Sequence, residues 1–211
     1  LPLETNYFVA YNHDHVDLVD LTETPINRIT ESGIETRAGN IIASHEFDII
    51  VFATGFETMT GALNQICIRG TGGQTLRDKW RDDSSTYLGV LTGGFPNMLM
   101  VAGPQSVSGS TNYPQAIETG AEWITALLDH AITEGKTRIE PSAVGEEAWH
   151  REVAQMQAHM PFSKVKSWFT GYNPNAAEGA SQFRHNAYWG GVPKYKAFLA
   201  EAALGYPEIT M

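Results

Sequence analysis

Apolar residues recur along this chain with two different periods. Up to about residue 60 they form short runs broken by turn residues, which predicts strands. Val16-Asp17-Leu18-Val19 is one candidate, and residues 26–29 and 33–36 read as a hairpin around Thr30-Glu31-Ser32-Gly33. Phe47-Asp48-Ile49-Ile50-Val51-Phe52-Ala53 is nearly continuous in β-branched and aromatic residues. Such a run predicts a strand buried on both faces, as in a parallel sheet. A Gly-rich connector over residues 61–98 carries a further strand candidate at Ile66-Cys67-Ile68. Leu99-Met100-Val101-Ala102 is a second buried-strand candidate.

After residue 110 the period changes to that of a helix. A helix is predicted from about Tyr113 to Ile132. Asn112 and Gln115 have the spacing of a capping box, and Pro114 sits in the first turn, where a missing N–H costs nothing. Ile117, Ala121, Ile124, Leu128 and Ala131 give it one apolar face, and Gly135 is placed to end it. A second helix is expected over residues 142–159, with Trp149, Val153, Met156 and Met160 at helical spacing and Pro161 as its stop. Residues 161–192 read as irregular and aromatic-rich. A last helix is expected over residues 194–204, ended by Gly205 and Pro207.

Composition narrows the function classes. The chain is 211 residues long and 42% hydrophobic, enough apolar matter to build a core, and its net charge is −10 without a Lys/Arg cluster, which disfavours nucleic acid. Cys67 is the single cysteine, so no intramolecular disulfide or cysteine-based zinc framework can form. Its place between two isoleucines predicts a small core residue, and a reducing, cytoplasmic setting is expected. No run of 18 apolar residues occurs that would predict a membrane span. The first residues have no signal-peptide pattern and no initiator methionine, so the chain is expected to begin inside a longer gene product.

Two segments are placed to bind a ligand. In Asp48-Ile49-Ile50-Val51-Phe52-Ala53-Thr54-Gly55-Phe56 an expected strand breaks into small residues, which let backbone approach a cofactor at the carboxyl end of a sheet; an ordinary tight turn is the alternative. In the second, Gly103-Pro104-Gln105-Ser106-Val107-Ser108-Gly109-Ser110-Thr111-Asn112 leads from a strand candidate into a helix N-terminus. Unpaired N–H groups and the helix dipole there favour phosphate or a negatively charged flavin ring; an ordinary βα loop is the alternative. Other motifs fail. Gly70-Thr71-Gly72-Gly73 is not a GxGxxG, because its sixth position is Thr75. Ser106 and Ser108 do not form a GxSxG elbow. His13-Asp14-His15, with Asp17 and Asp20, lies on an expected solvated turn, and no metal is expected there.

The ordered set of motifs resembles the Baeyer–Villiger monooxygenases, class B flavin-dependent enzymes. Asp48 to Phe56 matches their D-x-x-x-x-A-T-G-F element. Tyr87-Leu88-Gly89, Gly94-Phe95-Pro96-Asn97, Val101-Ala102-Gly103-Pro104, Asn112, Ile117-Glu118 and Glu122-Trp123 follow in the family's order. Leu1-Pro2-Leu3-Glu4-Thr5-Asn6-Tyr7-Phe8 resembles the segment before the nicotinamide domain closes. Ser167-Trp168-Phe169-Thr170-Gly171 resembles the loop over the nicotinamide cofactor, and Phe183, Tyr188, Gly190-Gly191 and Tyr195 the C-terminal end. Tyr172-Asn173-Pro174-Asn175-Ala176 departs from the N-x-P-G-K often found in that loop.

The resemblance implies an α/β fold: part of a two-dinucleotide-binding-domain, Rossmann-like flavoprotein with a C-terminal helical and irregular extension. The expected partition is the end of an NADPH domain and a return strand over 1–60, the C-terminal half of an FAD domain over 61–135, and the extension over 136–211. Implied cofactors are FAD and NADPH, and implied substrates a small ketone and O2, giving an ester or lactone. Ala53, Thr54 and Gly55 would lie between the cofactors, Gly103, Pro104, Gln105, Thr111, Asn112 and Tyr113 beside the flavin, and Trp168 at the nicotinamide. Ser108, Gly109, Ser110, Tyr113 and Phe169 would face the substrate. The family's two GxGxxG elements, its fingerprint and its active-site arginine are expected upstream of Leu1, so no catalytic residue is assigned here and the chain alone is expected to be inactive. An N- or S-oxygenating flavin monooxygenase, or a truncated non-catalytic binding module, are the alternatives.

Overall fold

The structure, a computed structural model, describes residues 5–54, 59–107, 111–165, 167–172 and 183–211, with Phe162 and Trp168 described by their backbone alone. It divides into two compact units, Leu1–Ala53 and Thr54–Met211.

In the first unit one turn of helix, α1 (Tyr7–Ala10), precedes three antiparallel strands, β1 (Ile26–Ile29), β2 (Gly33–Ala38) and β3 (Ile41–Glu46), paired in the order β1-β2-β3. The expected hairpin is β1–β2. Its turn is closed by the Thr30 N–H donating to the Gly33 carbonyl at 2.8 Å, and the Thr30 hydroxyl accepts from the Gly33 N–H at 3.1 Å. A register shift between Ile26 and Arg28 bulges β1. β3 was not anticipated, because Ile41 to Glu46 mixes apolar and polar residues without alternation. Residues 16–19 form no strand, and neither does the apolar run 47–53. A strand exists only where a neighbour takes up its N–H and C=O groups; the Phe47 N–H donates to the Ser32 carbonyl at 3.0 Å, but among the described residues no strand lies beside that run.

The second unit holds α2 (Gly61–Gln65), α3 (Leu76–Lys79), α4 (Tyr113–Thr133), α5 (Ala143–Ala158) and α6 (Val192–Ala202), with β4 (Glu140–Pro141) paired antiparallel to β5 (Ile209–Thr210). Residues 66–68 and 99–102 are not strands, and Cys67 is exposed rather than in the core. The main core gathers Leu88, Val90, Leu91, Val107, Trp123, Leu127, Trp149, Val153, Tyr195 and Leu199 from the 87–91 turn, the loop ahead of α4, and α4, α5 and α6. The Trp123 indole donates to the Leu199 carbonyl at 2.9 Å and the Tyr195 hydroxyl to that of Leu88 at 2.7 Å, so both polar tips are satisfied inside it. A smaller cluster of Leu76, Trp80, Phe95 and Met100 sits under α3.

All three long helices start and stop within about two residues of expectation. Ser142 caps α5 through the Gly145 N–H. After α4, Gly135 adopts φ 66° and the Lys136 N–H reaches back to the Ala131 carbonyl at 2.8 Å, a glycine-terminated helix end. The buried face of α4 is turned by about one position from the expected one. Ala116, Gly120, Trp123, Ile124, Leu127 and Ala131 face inward, whereas Ile117 and Leu128 stay exposed. The small residues decide this: a Cβ on Gly120 would sit 3.6 Å from the Ala102 nitrogen, so this side of the helix lies against residues 101–102. No helix among the described residues is long and apolar enough to cross a membrane.

Candidate functional site

Residues 103–107 are clamped on both sides. The Gly103 N–H donates to the Gly89 carbonyl at 3.1 Å, the Gln105 N–H to Asn186 at 2.8 Å, and the Tyr188 N–H to Ser106 at 2.9 Å. This close approach depends on glycine. A Cβ at Gly103 would stand 2.7 Å from the Gly89 oxygen, and one at Gly89, whose φ is +68°, would stand 2.6 Å from the Ser106 nitrogen.

Gln105 is the bracket inside this loop. Its backbone is left-handed, at φ 66°, and its side chain is fully buried. The amide oxygen accepts the Thr86 N–H at 3.1 Å and lies 2.9 Å from the Thr86 hydroxyl. The amide nitrogen donates to the Ser84 carbonyl at 2.7 Å and lies 2.9 Å from His150 Nδ1. Because the Thr86 N–H can only donate, the oxygen end is fixed. The nitrogen therefore donates to His150 Nδ1, and the neutral imidazole carries its proton on Nε2.

The loop runs on toward α4. The Asn112 side chain accepts from the Gln115 N–H at 3.0 Å, as expected of an N-cap. The returning arm of a capping box is replaced: Gln115 Oε1 accepts from the Thr111 hydroxyl at 2.7 Å. Tyr113 and Ile117, one turn apart on one helix face, are each about half exposed. Ser106 is buried, and its hydroxyl has no hydrogen-bond partner among the described residues. Two phenols lie nearby. Burial, then Glu152, holds Tyr188 well above its usual value, and burial with Glu208 and Glu201 pushes Tyr87 up to about 12. Both stay neutral at ordinary pH: Tyr188 donates to Glu152 at 3.3 Å, and Tyr87 packs into the core.

No protein-family model matches the chain. Individual proteins do. A phenazine N-monooxygenase of Lysobacter antibioticus is 44% identical over 203 residues, 96% of this chain and 36% of that protein. A methyl acetate-forming acetone monooxygenase of Gordonia sp. (strain TY-5) is 43% identical over 98% of this chain and 38% of its own length. The crystal structure of OTEMO in complex with FAD and NADP superposes over 100% of this chain with a TM-score of 0.85 at 32% identity, using 37% of that structure. The chain belongs to the Baeyer–Villiger family of class B flavin-dependent monooxygenases. It spans little more than a third of the length of these relatives. Its mixed architecture, two small antiparallel sheets with flanking helices, is a partial dinucleotide-binding, Rossmann-like fold with a helical extension.

Against that family frame, the expected site residues fall into three groups. Gly103, Pro104 and Gln105 lie in the clamped loop, and Thr111, Asn112 and Tyr113 at the start of α4. Ala53 and Thr54 are exposed and fall on either side of the boundary between the two units. Gly55, Ser108, Gly109 and Ser110 lie outside the described residues. Trp168 begins a turn of 3-10 helix, Trp168–Thr170, and Phe169 packs edge-on against Trp189 at 5.1 Å. Sequence reasoning missed Ser84, Thr86, Gly89, His150 and Asn186, which hold the loop. They lie between 16 and 81 positions from Gln105, and no local pattern joins polar residues so far apart. His13 and His15, set aside as a metal site, stack with ring centroids 5.5 Å apart on an exposed turn.

Proposed function

We propose that this chain is the C-terminal part of an FAD- and NADPH-dependent monooxygenase that inserts one oxygen atom of O2 beside the carbonyl of a ketone, giving an ester or lactone, and that by itself it is inactive. The observation carrying the reading is the superposition of the whole chain on 37% of a structure complexed with FAD and NADP. When bound, the flavin supplies oxygen activation after reduction by NADPH. The chain's own part is to position it. Gly103 keeps the loop free of a Cβ, the buried Ser106 hydroxyl has no hydrogen-bond partner among the described residues, and the Asn112-capped start of α4 presents the positive end of a 21-residue helix. These features fit a ligand with acceptor atoms and negative charge. In this reading the Gln105 side chain contributes as the bracket that holds the loop for the flavin.

The same proposal assigns Ala53, Thr54 and Gly55 to the space between the cofactors, Trp168 to the nicotinamide, and Ser108, Gly109, Ser110, Tyr113 and Phe169 to the substrate. It keeps the partition 1–60, 61–135 and 136–211, with an N-terminal dinucleotide-binding segment, including the active-site arginine, supplied upstream. A cytoplasmic setting, a small-molecule ketone and no nucleic-acid partner belong to the same reading, which the acidic composition and single cysteine support. A second reading, oxygenation at nitrogen, rests on the 44% identity to the phenazine N-monooxygenase.

Two measurements test the proposal. The chain alone, mixed with FAD and desalted, should emerge colourless; stoichiometric flavin would overturn the claim of incompleteness. The full-length protein, given NADPH and 18O2 with acetone and, separately, with phenazine, should put one labelled atom into an ester formed from acetone. A labelled N-oxide with no ester would select the second reading.

A further inference from the structure

Asp83, His150 and His185 come from three separate places: the segment after α3, the middle of α5 and the segment before α6. Each offers one donor atom, and the three atoms lie within 4.8 Å of one another. His185 Nδ1 is 2.6 Å from Asp83 Oδ2, and His150 Nε2 is 3.7 Å from the same oxygen. The two rings stand at 80° with centroids 5.2 Å apart. The other carboxylate oxygen, Oδ1, is spoken for, accepting the Ser84 N–H at 2.8 Å and the His185 N–H at 2.9 Å. The carboxylate is thereby held with Oδ2 toward both imidazoles.

We propose that Asp83, His150 and His185 form a site for a divalent transition-metal ion of the zinc type. Metal–ligand bonds of about 2.0–2.1 Å put neighbouring donors of a four-coordinate zinc roughly 3.3 Å apart. Of the three spacings, the two to Asp83 bracket that value, one shorter and one longer, each by less than an ångström, and the third is within 4.8 Å. All three side chains are between 23% and 31% exposed, so they have room to adjust and an ion can reach them. Two imidazoles with one carboxylate select zinc, cobalt or nickel over magnesium and calcium, which prefer all-oxygen sets. Three protein ligands leave a position for water.

Loading has a definite cost. Without the ion, the proton of the neutral His150 ring is on Nε2 and that of His185 sits between Nδ1 and Asp83. To bind through His150 Nε2 and His185 Nδ1, each neutral imidazole carries its proton on the other ring nitrogen. On His150 that places an N–H against the Gln105 amide nitrogen, now 2.9 Å away. The ion and the Gln105–His150 hydrogen bond are therefore alternatives, and metal occupancy reaches the 103–107 loop through that contact. The proposal does not depend on which monooxygenase reaction the protein performs.

The test uses the full-length protein, stripped with a chelator and titrated with Co2+ followed by its visible d–d absorption, then displaced by Zn2+. The expected result is one equivalent of Co2+ with the intense bands of a four- or five-coordinate ion. His150→Gln and His185→Gln should each weaken uptake by more than the ~10–100-fold typical for loss of an outer-shell partner, in protein whose metal-free melting curve shows a folded state. No uptake by the wild type, or uptake that survives both substitutions, overturns the proposal. Should a variant fail to fold, the wild type decides: bound Co2+ must shift the imidazole proton resonances of His150 and His185 in the NMR spectrum, and unshifted resonances overturn the site.

Discussion

Leu88, Val90 and Leu91 are at most 2% exposed, whereas Ile49, Val51 and Phe52, no less apolar, are 80%, 82% and 67% exposed. The two stretches differ in their surroundings. Residues 87–91 form an isolated bridge, Tyr87 to Leu91, roofed by α4, α5 and α6, while residues 47–53 have no strand beside them among the described residues. The ion pairs repeat the contrast. Arg28–Glu35 in the first unit lies on the surface with the arginine 66% exposed. Lys79–Glu146 in the second is nearly buried, at 16% and 11%. The Glu146 carboxylate also accepts the Thr92 hydroxyl and the Gly93 N–H. Burial in the second unit is thus complete enough to enclose a charge, whereas the first leaves its most apolar run in water. Such a run is expected to bury itself only against further strands, which agrees with a chain spanning little more than a third of its relatives.

The largest effect should separate the two ion pairs. Lys79→Met strands the Glu146 carboxylate in the second unit and should cost about 3–5 kcal/mol, read by denaturant unfolding. Arg28→Met should leave the unfolding midpoint unchanged. Similar midpoints for the two variants would remove the contrast. Next comes Ile49→Ala. In the chain alone it should change stability by no more than about 0.5 kcal/mol, as at other exposed sites. In the full-length protein, where a strand would bury it, the loss should rise to about 2–5 kcal/mol. A small effect in both settings would show that the run stays exposed.

Asn112→Ala should cost about 0.5–2 kcal/mol by removing the cap on α4; an unchanged melting temperature would show that another group takes over the Gln115 N–H. The smallest stability effect belongs to Tyr113→Ala, within about 0.5 kcal/mol because the ring is half exposed. In the full-length protein the same change should alter relative kcat/KM values among ketones without altering FAD affinity. A loss of FAD with unchanged ketone preference would move Tyr113 from the substrate side to the cofactor side.

The parts legible in advance were those with local causes. The hairpin at residues 26–36, the Asn112 cap and the glycine after α4 each rest on hydrogen bonds between residues a few positions apart. The glycines of the candidate site were visible as small residues, but what they are small for was not: Gly103 yields to Gly89, 14 positions earlier. Gln105 looked like one more polar loop residue and proves to be the tie between Thr86, Ser84 and His150.

By itself, then, the sequence determined the long helices, the first hairpin and, through the order of its motifs, the family. These depend on short-range periodicity, capping and residue identity. Tertiary structure alone decided the rest. It turned α4 so that Gly120 rather than Ile117 meets residues 101–102, left 47–53 without a strand beside it among the described residues, and assembled Asp83, His150 and His185. Each of those outcomes depends on which distant segment is present to fill a face, accept an N–H or share a charge, and one-dimensional spacing carries no record of that.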